Sequence, residues 1–129
     1  MRKPAIATAA MLLGAGTAMA DPVFGTWQTE PGDEGNFALV EIGACGDRIC
    51  GVLGQAFDAS GNSIDSPNTG RRMIWDMAAQ GGGQYGGGKI WAPDRDRTYN
   101  SRMSLRGDVL KVSGCVLGIC RSQSWGRAN

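Results

Sequence analysis

From Asp21 onward, turn-forming residues break the chain so regularly that short strands are the natural element. Glycine and proline (21 and 5 of 129 residues) recur between short runs rich in Val, Ile, Leu, Phe and Trp. Runs of that kind, bounded by Gly, Asn, Asp and Pro, read as strands joined by tight turns. Phe24 to Thr29 is a first strand. Phe37 to Ala44 is a second, entered from the turn-rich Pro31-Gly32-Asp33-Glu34-Gly35-Asn36, and Arg48 to Phe57 returns. The polar stretch Asp58 to Gly70 carries Gly61, Asn62, Pro67 and Asn68 as breakers. Arg72 to Met77 is apolar and short, and its pattern leaves helix and strand both open. Gly81-Gly82-Gly83 ends it, Gln84 to Trp91 reads as a glycine-weakened strand, and Pro93-Asp94-Arg95-Asp96 is a turn. From Arg97 to Leu105 the alternation is clean, with Tyr99, Ser101, Met103 and Leu105 on one face and Thr98, Asn100, Arg102 and Ser104 on the other. Gly107-Asp108 turns the chain again, Leu110 and Val112 alternate with Lys111 and Ser113, and Arg121 to Arg127 is the last strand. About seven or eight strands at spacings near ten residues, with no strong amphipathic helix between them, predict an all-β, antiparallel up-and-down sheet closed into a small barrel. Closure removes the edges such a meander would otherwise expose. A barrel of about eight strands just encloses its side chains or one small ligand.

The first twenty residues have another character. Arg2 and Lys3 precede an uncharged apolar run from Ala5 to Ala18, and Ala18-Met19-Ala20 supplies small residues ahead of Asp21-Pro22. This is the pattern of a secretory signal peptide cleaved at Ala20-Asp21. The run is short for a membrane span, and no Cys follows the cleavage site to carry a lipid anchor. Residues 1–20 are therefore expected to be a signal peptide and residues 21–129 one exported domain, periplasmic or secreted. Without Arg2 and Lys3, eleven basic residues face twelve acidic ones, a net charge of −1. No basic excess remains to hold a nucleic-acid backbone, and nothing after Ala20 is apolar for long enough to span a membrane. A monomer is expected.

In an oxidising compartment, disulfides are the default state of cysteine. Cys45, Cys50, Cys115 and Cys120 form two equally spaced pairs, each with a turn signal inside it, Gly46-Asp47 and Gly118. Four cysteines allow three pairings. The local pairs, Cys45 with Cys50 and Cys115 with Cys120, are the favoured ones, because cysteines flanking a tight hairpin lie within bonding range; spacing alone does not exclude the other two. A four-cysteine metal site would call for different spacing, and no metal or other cofactor is expected.

The chain contains no histidine. Imidazole acid-base chemistry and His-activated nucleophiles are thereby removed. Asp94 and Asp96 are close in sequence but alternate with Arg95 and Arg97, as in a solvated charge cluster. The segment Asp58 to Asp65 has oxygen ligands at tight spacing, yet lacks the glycine position and distal glutamate of a calcium loop. The glycine triplets 81–83 and 86–88 lack the Lys-Ser/Thr and helix of a phosphate loop. No catalytic constellation stands out, so the chain is not expected to be an enzyme.

Several motifs together resemble one exported bacterial family, domain of unknown function 2147. They are Gly25-Thr26-Trp27, Cys45-Gly46 with Cys50-Gly51, the Asp65 to Asn68 loop followed by Arg71-Arg72, Gly88-Lys89-Ile90-Trp91-Ala92-Pro93 leading to Thr98-Tyr99, Leu110-Lys111-Val112-Ser113-Gly114, and Arg121 to Arg127. The family usually has Asn-Pro in the central loop, where this chain has Pro67-Asn68. The resemblance implies a lipocalin-like barrel in which Gly25 and Trp27 on the first strand and Arg127 on the last close one end, the guanidinium lying over the indole. Strand alternation at Tyr99 and Met103, and the aromatic character of Trp91 and Trp125, make these four the candidate interior or ligand-contacting residues. The expected function is a small binding module for an apolar or amphipathic small molecule. The alternative is a protein-binding module, such as a periplasmic protease inhibitor, that inserts Asp21 to Phe24 into a target.

Overall fold

A computed structural model describes residues 21–128. The expected signal peptide, residues 1–20, lies outside the described residues. Nine strands follow one another: β1 (Gly25–Gln28), β2 (Phe37–Cys45), β3 (Arg48–Phe57), β4 (Ser63–Ile64), β5 (Arg72–Gly81), β6 (Gln84–Ala92), β7 (Arg97–Arg106), β8 (Val109–Val116) and β9 (Ile119–Arg127). Among the described residues there is no helix, and so none long and apolar enough to cross a membrane.

Eight strands close into an antiparallel barrel. Each pairs with its neighbour in the chain, and the ring closes where β1 meets β9. The two-residue β4 hangs from the end of β3, through Ala56↔Ile64 and Phe57↔Ser63. Alternation sends one side chain in two inward, and the core is built from Trp27, Val40, Ile42, Ile74, Met77, Met103, Leu110, Val112 and Trp125, all buried. The segment 72–77, open between helix and strand in the sequence, is strand. A register irregularity against β3 between Ile49 and Gly51, with Asp76 at φ 57°, brings both Ile74 and Met77 to the interior. An extra residue in one strand has this effect on side-chain phase.

The up-and-down path sorts the connections to two ends. Tight turns at 46–47, 82–83 and 107–108 sit at one end; the longer connections 29–36, 58–71 and 93–96, with the turn at 117–118, sit at the other. Each end carries one disulfide: Cys45–Cys50 beside the tight turns and Cys115–Cys120 at the far end, with S–S distances of 2.04 and 2.05 Å.

Candidate functional site

The end with the tight turns is filled by the chain that precedes β1. Asp21 Oδ1 accepts hydrogen bonds from the Val23 amide at 2.9 Å and the Tyr85 hydroxyl at 2.7 Å. These fold residues 21–24 back over the barrel, and Val23 is fully buried. Trp27, also fully buried, donates from Nε1 to the Val23 carbonyl at 2.9 Å. Arg127 is its register partner across the β1–β9 seam and places its guanidinium carbon 4.3 Å from the Trp27 ring centroid. Each guanidinium nitrogen donates one hydrogen bond: Nη2 to the Pro22 carbonyl at 2.9 Å, Nη1 to the Phe24 carbonyl at 3.3 Å, and Nε to Asp108 at 3.1 Å. Gly25 opens β1 with φ 137°, which takes the chain from the plug into the strand. Burial, and then the neighbouring Asp21 carboxylate, hold the Tyr85 hydroxyl well above the ordinary tyrosine range. This end is closed by a hydrogen-bonded stopper.

The other end is open. A cavity of about 650 Å³ enters the barrel there. Ile90, Val112 and Trp125 lie at its depth and Tyr99 and Met73 line it. Gly114 makes room in the wall, since a Cβ at that position would come within 3.5 Å of Tyr99 Cβ and 3.4 Å of Ile90 Cγ2. Arg95, Arg97 and Arg121 stand at the rim with Glu30 and Asp94. Glu30 is engaged by the Ser124 amide, and Asp94 lies 4.0 Å from Arg95. Among the described residues no carboxylate lies within ion-pair distance of Arg97 or Arg121. Val116, Leu117 and Ile119, on the disulfide-bridged hairpin, form an apolar lip at 53%, 96% and 69% exposure.

Of the aromatic and sulfur residues singled out from the sequence, Tyr99 and Trp125 face this cavity. Trp125 directs its Nε1 to Gln123 at 2.8 Å. Met103 is core, paired between Tyr85 and Val112, and does not reach the mouth. Trp91 is buried but does not line the cavity. It alternates with Ile90 and so lies on the outer face, where the Arg71 guanidinium covers its ring at 3.3 Å and Asp96 accepts from its Nε1 at 2.9 Å. The indole is buried and belongs to the core cluster, with Arg71 over its ring. The rim residues Arg97 and Arg121 were not singled out from the sequence, although alternation back from Tyr99 and Trp125 assigns both to the inner face.

The remaining candidates are structural. Asp58 caps its own turn by accepting from the Ser60 and Asn62 amides, each at 2.9 Å, and the Asn62 amide leads the hydrogen bonds that lower its pKa. Among the described residues no group of three or more Cys, Asp or Glu side chains is placed to hold a metal ion.

The comparisons with known proteins agree with this geometry. A family model described as an uncharacterized protein conserved in bacteria (DUF2147) matches residues 25–127. A solved structure, protein HP1028 from the human pathogen Helicobacter pylori, described as belonging to the lipocalin family, has a TM-score of 0.68 at 17% identity, covering 85% of this chain and 85% of its own. At that identity the likeness is one of fold. No curated protein matches the chain. The matched span holds all nine strands from Gly25 to Arg127, both disulfides and the Trp27–Arg127 closure, and the chain belongs to the DUF2147 family, with a lipocalin-like barrel.

Proposed function

We propose that this chain is an exported binding module that takes up an apolar or amphipathic small molecule through the open end of its barrel. The observation that carries this reading is the pairing of a stoppered end with a mouth whose cavity of about 650 Å³ has an aromatic and aliphatic depth. Small-molecule sites are commonly of about 300–1,000 Å³, mostly apolar, with a few convergent polar groups. Here Tyr99, Val112 and Trp125 offer the apolar contact, and Arg97 and Arg121 offer charge to a polar or anionic head. Two disulfides suit an oxidising compartment, in keeping with the signal-peptide pattern of residues 1–20.

Binding is favoured over catalysis because the chain has no histidine and its acids near the mouth are engaged elsewhere: Glu30 with a backbone amide, Asp94 beside Arg95 and Asp96 with Trp91. The protease-inhibitor alternative requires Asp21 to Phe24 to be free for insertion. That segment is instead the barrel's stopper, tied to Tyr85, Trp27 and Arg127.

Native mass spectrometry of protein recovered from the periplasm tests the proposal, together with fluorescence titration of anilinonaphthalene sulfonate. Wild type is expected to retain a small-molecule mass or to bind the dye in competition with long-chain amphiphiles. Gly114→Leu, which fills the mouth from its wall, is expected to lose both signals while remaining folded. A wild-type protein that emerges bare and takes up neither dye nor amphiphile ends the proposal.

A further inference from the structure

The outer face of β6–β9 carries charge of one sign. Arg102, Ser104 and Arg106 project from β7 on the side opposite Met103 and Leu105, and Lys111 on β8 stands directly across from Ser104. Three cations thus frame one hydroxyl. Lys89 lies farther along the same face and donates to Asn100 Oδ1 at 2.6 Å. Strands β6, β7, β8 and β9 contain no Asp or Glu at any position, inward or outward. All twelve acids of the chain lie in the first five strands, the preceding segment or the loops. For a chain whose charges almost cancel, this is pronounced segregation.

The cationic face is also hollow. A groove of about 960 Å³ runs over it, lined by Arg102, Arg106 and Lys111 together with Gln84, Ser104 and Ser122. Its lining takes in Gly86 and Gly87 of β6, where the register against β7 slips between Tyr85 and Gly88, and the Gln80 side chain lies over Gly86. Gln84 donates to the Ser104 hydroxyl at 3.2 Å and the Ser113 and Ser122 hydroxyls bond each other at 2.7 Å, so these groups meet sugar hydroxyls with the donor and acceptor capacity they have left, while guanidinium and ammonium groups match carboxylates. Arg102 and Arg106 leave the strand about 13 Å apart, four residues at strand rise, which suits a ligand with repeated charges. A concave groove accepts a chain more readily than a flat membrane.

We propose that this groove binds an anionic oligosaccharide, a sugar chain bearing carboxylates, at a site separate from the mouth. Isothermal titration with oligogalacturonate as the probe tests it, with maltohexaose as the neutral control. Oligogalacturonate is expected to bind wild type, and to bind the double variant Arg102→Gln/Lys111→Gln about tenfold or more weakly, equivalent to about 1.4 kcal/mol or more. Binding is expected to weaken as salt rises from about 20 to about 200 mM. Maltohexaose is expected not to bind. Arg48→Gln, outside β6–β9, and Gly114→Leu are expected to leave oligogalacturonate binding unchanged. Should the double variant fail to fold, Arg106→Gln alone gives the same readout with a smaller loss. Three results overturn the proposal: no oligogalacturonate binding, binding indifferent to Arg102, Lys111 and Arg106, or equal binding of inorganic phosphate, duplex DNA or anionic vesicles.

Discussion

The two ends of this barrel solve opposite problems with the same strands. At one end the backbone folds back as a plug, each guanidinium nitrogen of Arg127 donates a hydrogen bond, and Trp27 and Val23 are fully buried. At the other, Arg97 and Arg121 have no ion-pair partner among the described residues, and a hairpin presents Val116, Leu117 and Ile119 to solvent. Satisfied polar networks around buried aromatics stabilise and rigidify. Unpaired rim charges and exposed apolar side chains contribute little to stability. Satisfied contacts are thus concentrated at the stopper, and the mouth is the end to which the proposal assigns binding.

The largest test of that contrast is Trp27→Ala. Emptying the site of a fully buried indole is expected to cost about 3–5 kcal/mol, read from urea unfolding midpoints. Tyr99→Ala at the mouth is expected to cost less than about 2 kcal/mol; equal losses would erase the distinction between the ends. Next come the disulfides. Replacing Cys45 and Cys50, or Cys115 and Cys120, by Ala pairs is expected to cost about 2 kcal/mol each in the chain-entropy model, since both close loops of the same length. A clear inequality in melting temperature would show that the hairpins at the two ends constrain the chain differently. Asp21→Ala is expected to lose about 1–2 kcal/mol by stripping acceptors from Val23 and Tyr85. The same pair gives a pH signature. The unfolded chain releases the Tyr85 proton near pH 10, whereas the fold holds it to higher pH. The stabilisation is complete below that pH and is lost as pH rises beyond it, so wild type is expected to lose stability above pH 10 more steeply than Tyr85→Phe. Smallest is Arg121→Ala, expected to move stability by less than about 0.5 kcal/mol while weakening the uptake of anionic amphiphiles in the dye competition.

Much of the barrel was legible because strand period and turn chemistry agree. Arg97 to Leu105 alternates cleanly and is strand β7, and Gly81-Gly82-Gly83 and Gly107-Asp108 fall at turns. Segment 72–77 was not legible. The bulged backbone around Asp76 spaces Ile74 and Met77 three apart on one face, which imitates a helical period. The cover of Trp91 was not legible for another reason: it is Arg71, twenty positions earlier, and only tertiary structure brings that guanidinium over the ring. The stopper was half visible. The resemblance paired Trp27 with Arg127, but the Asp21–Tyr85 bond joins residues 64 apart and leaves no local signal. The one-signed face of β6–β9 was present in the letters, yet its meaning depended on knowing which residues lie side by side on the outside.

The seam between β1 and β9 rests on two register pairs, Trp27↔Arg127 and Gln28↔Gly126, whereas β8 and β9 are joined along eight. Strand β9 is therefore the stave that turns an open sheet into a cask, and it leaves the ribosome after all the others. Until it arrives, β1 and β8 present raw edges to any neighbouring chain. Losing residues 119–127 would do more than trim a terminus, because both edges would stay exposed for the lifetime of the molecule.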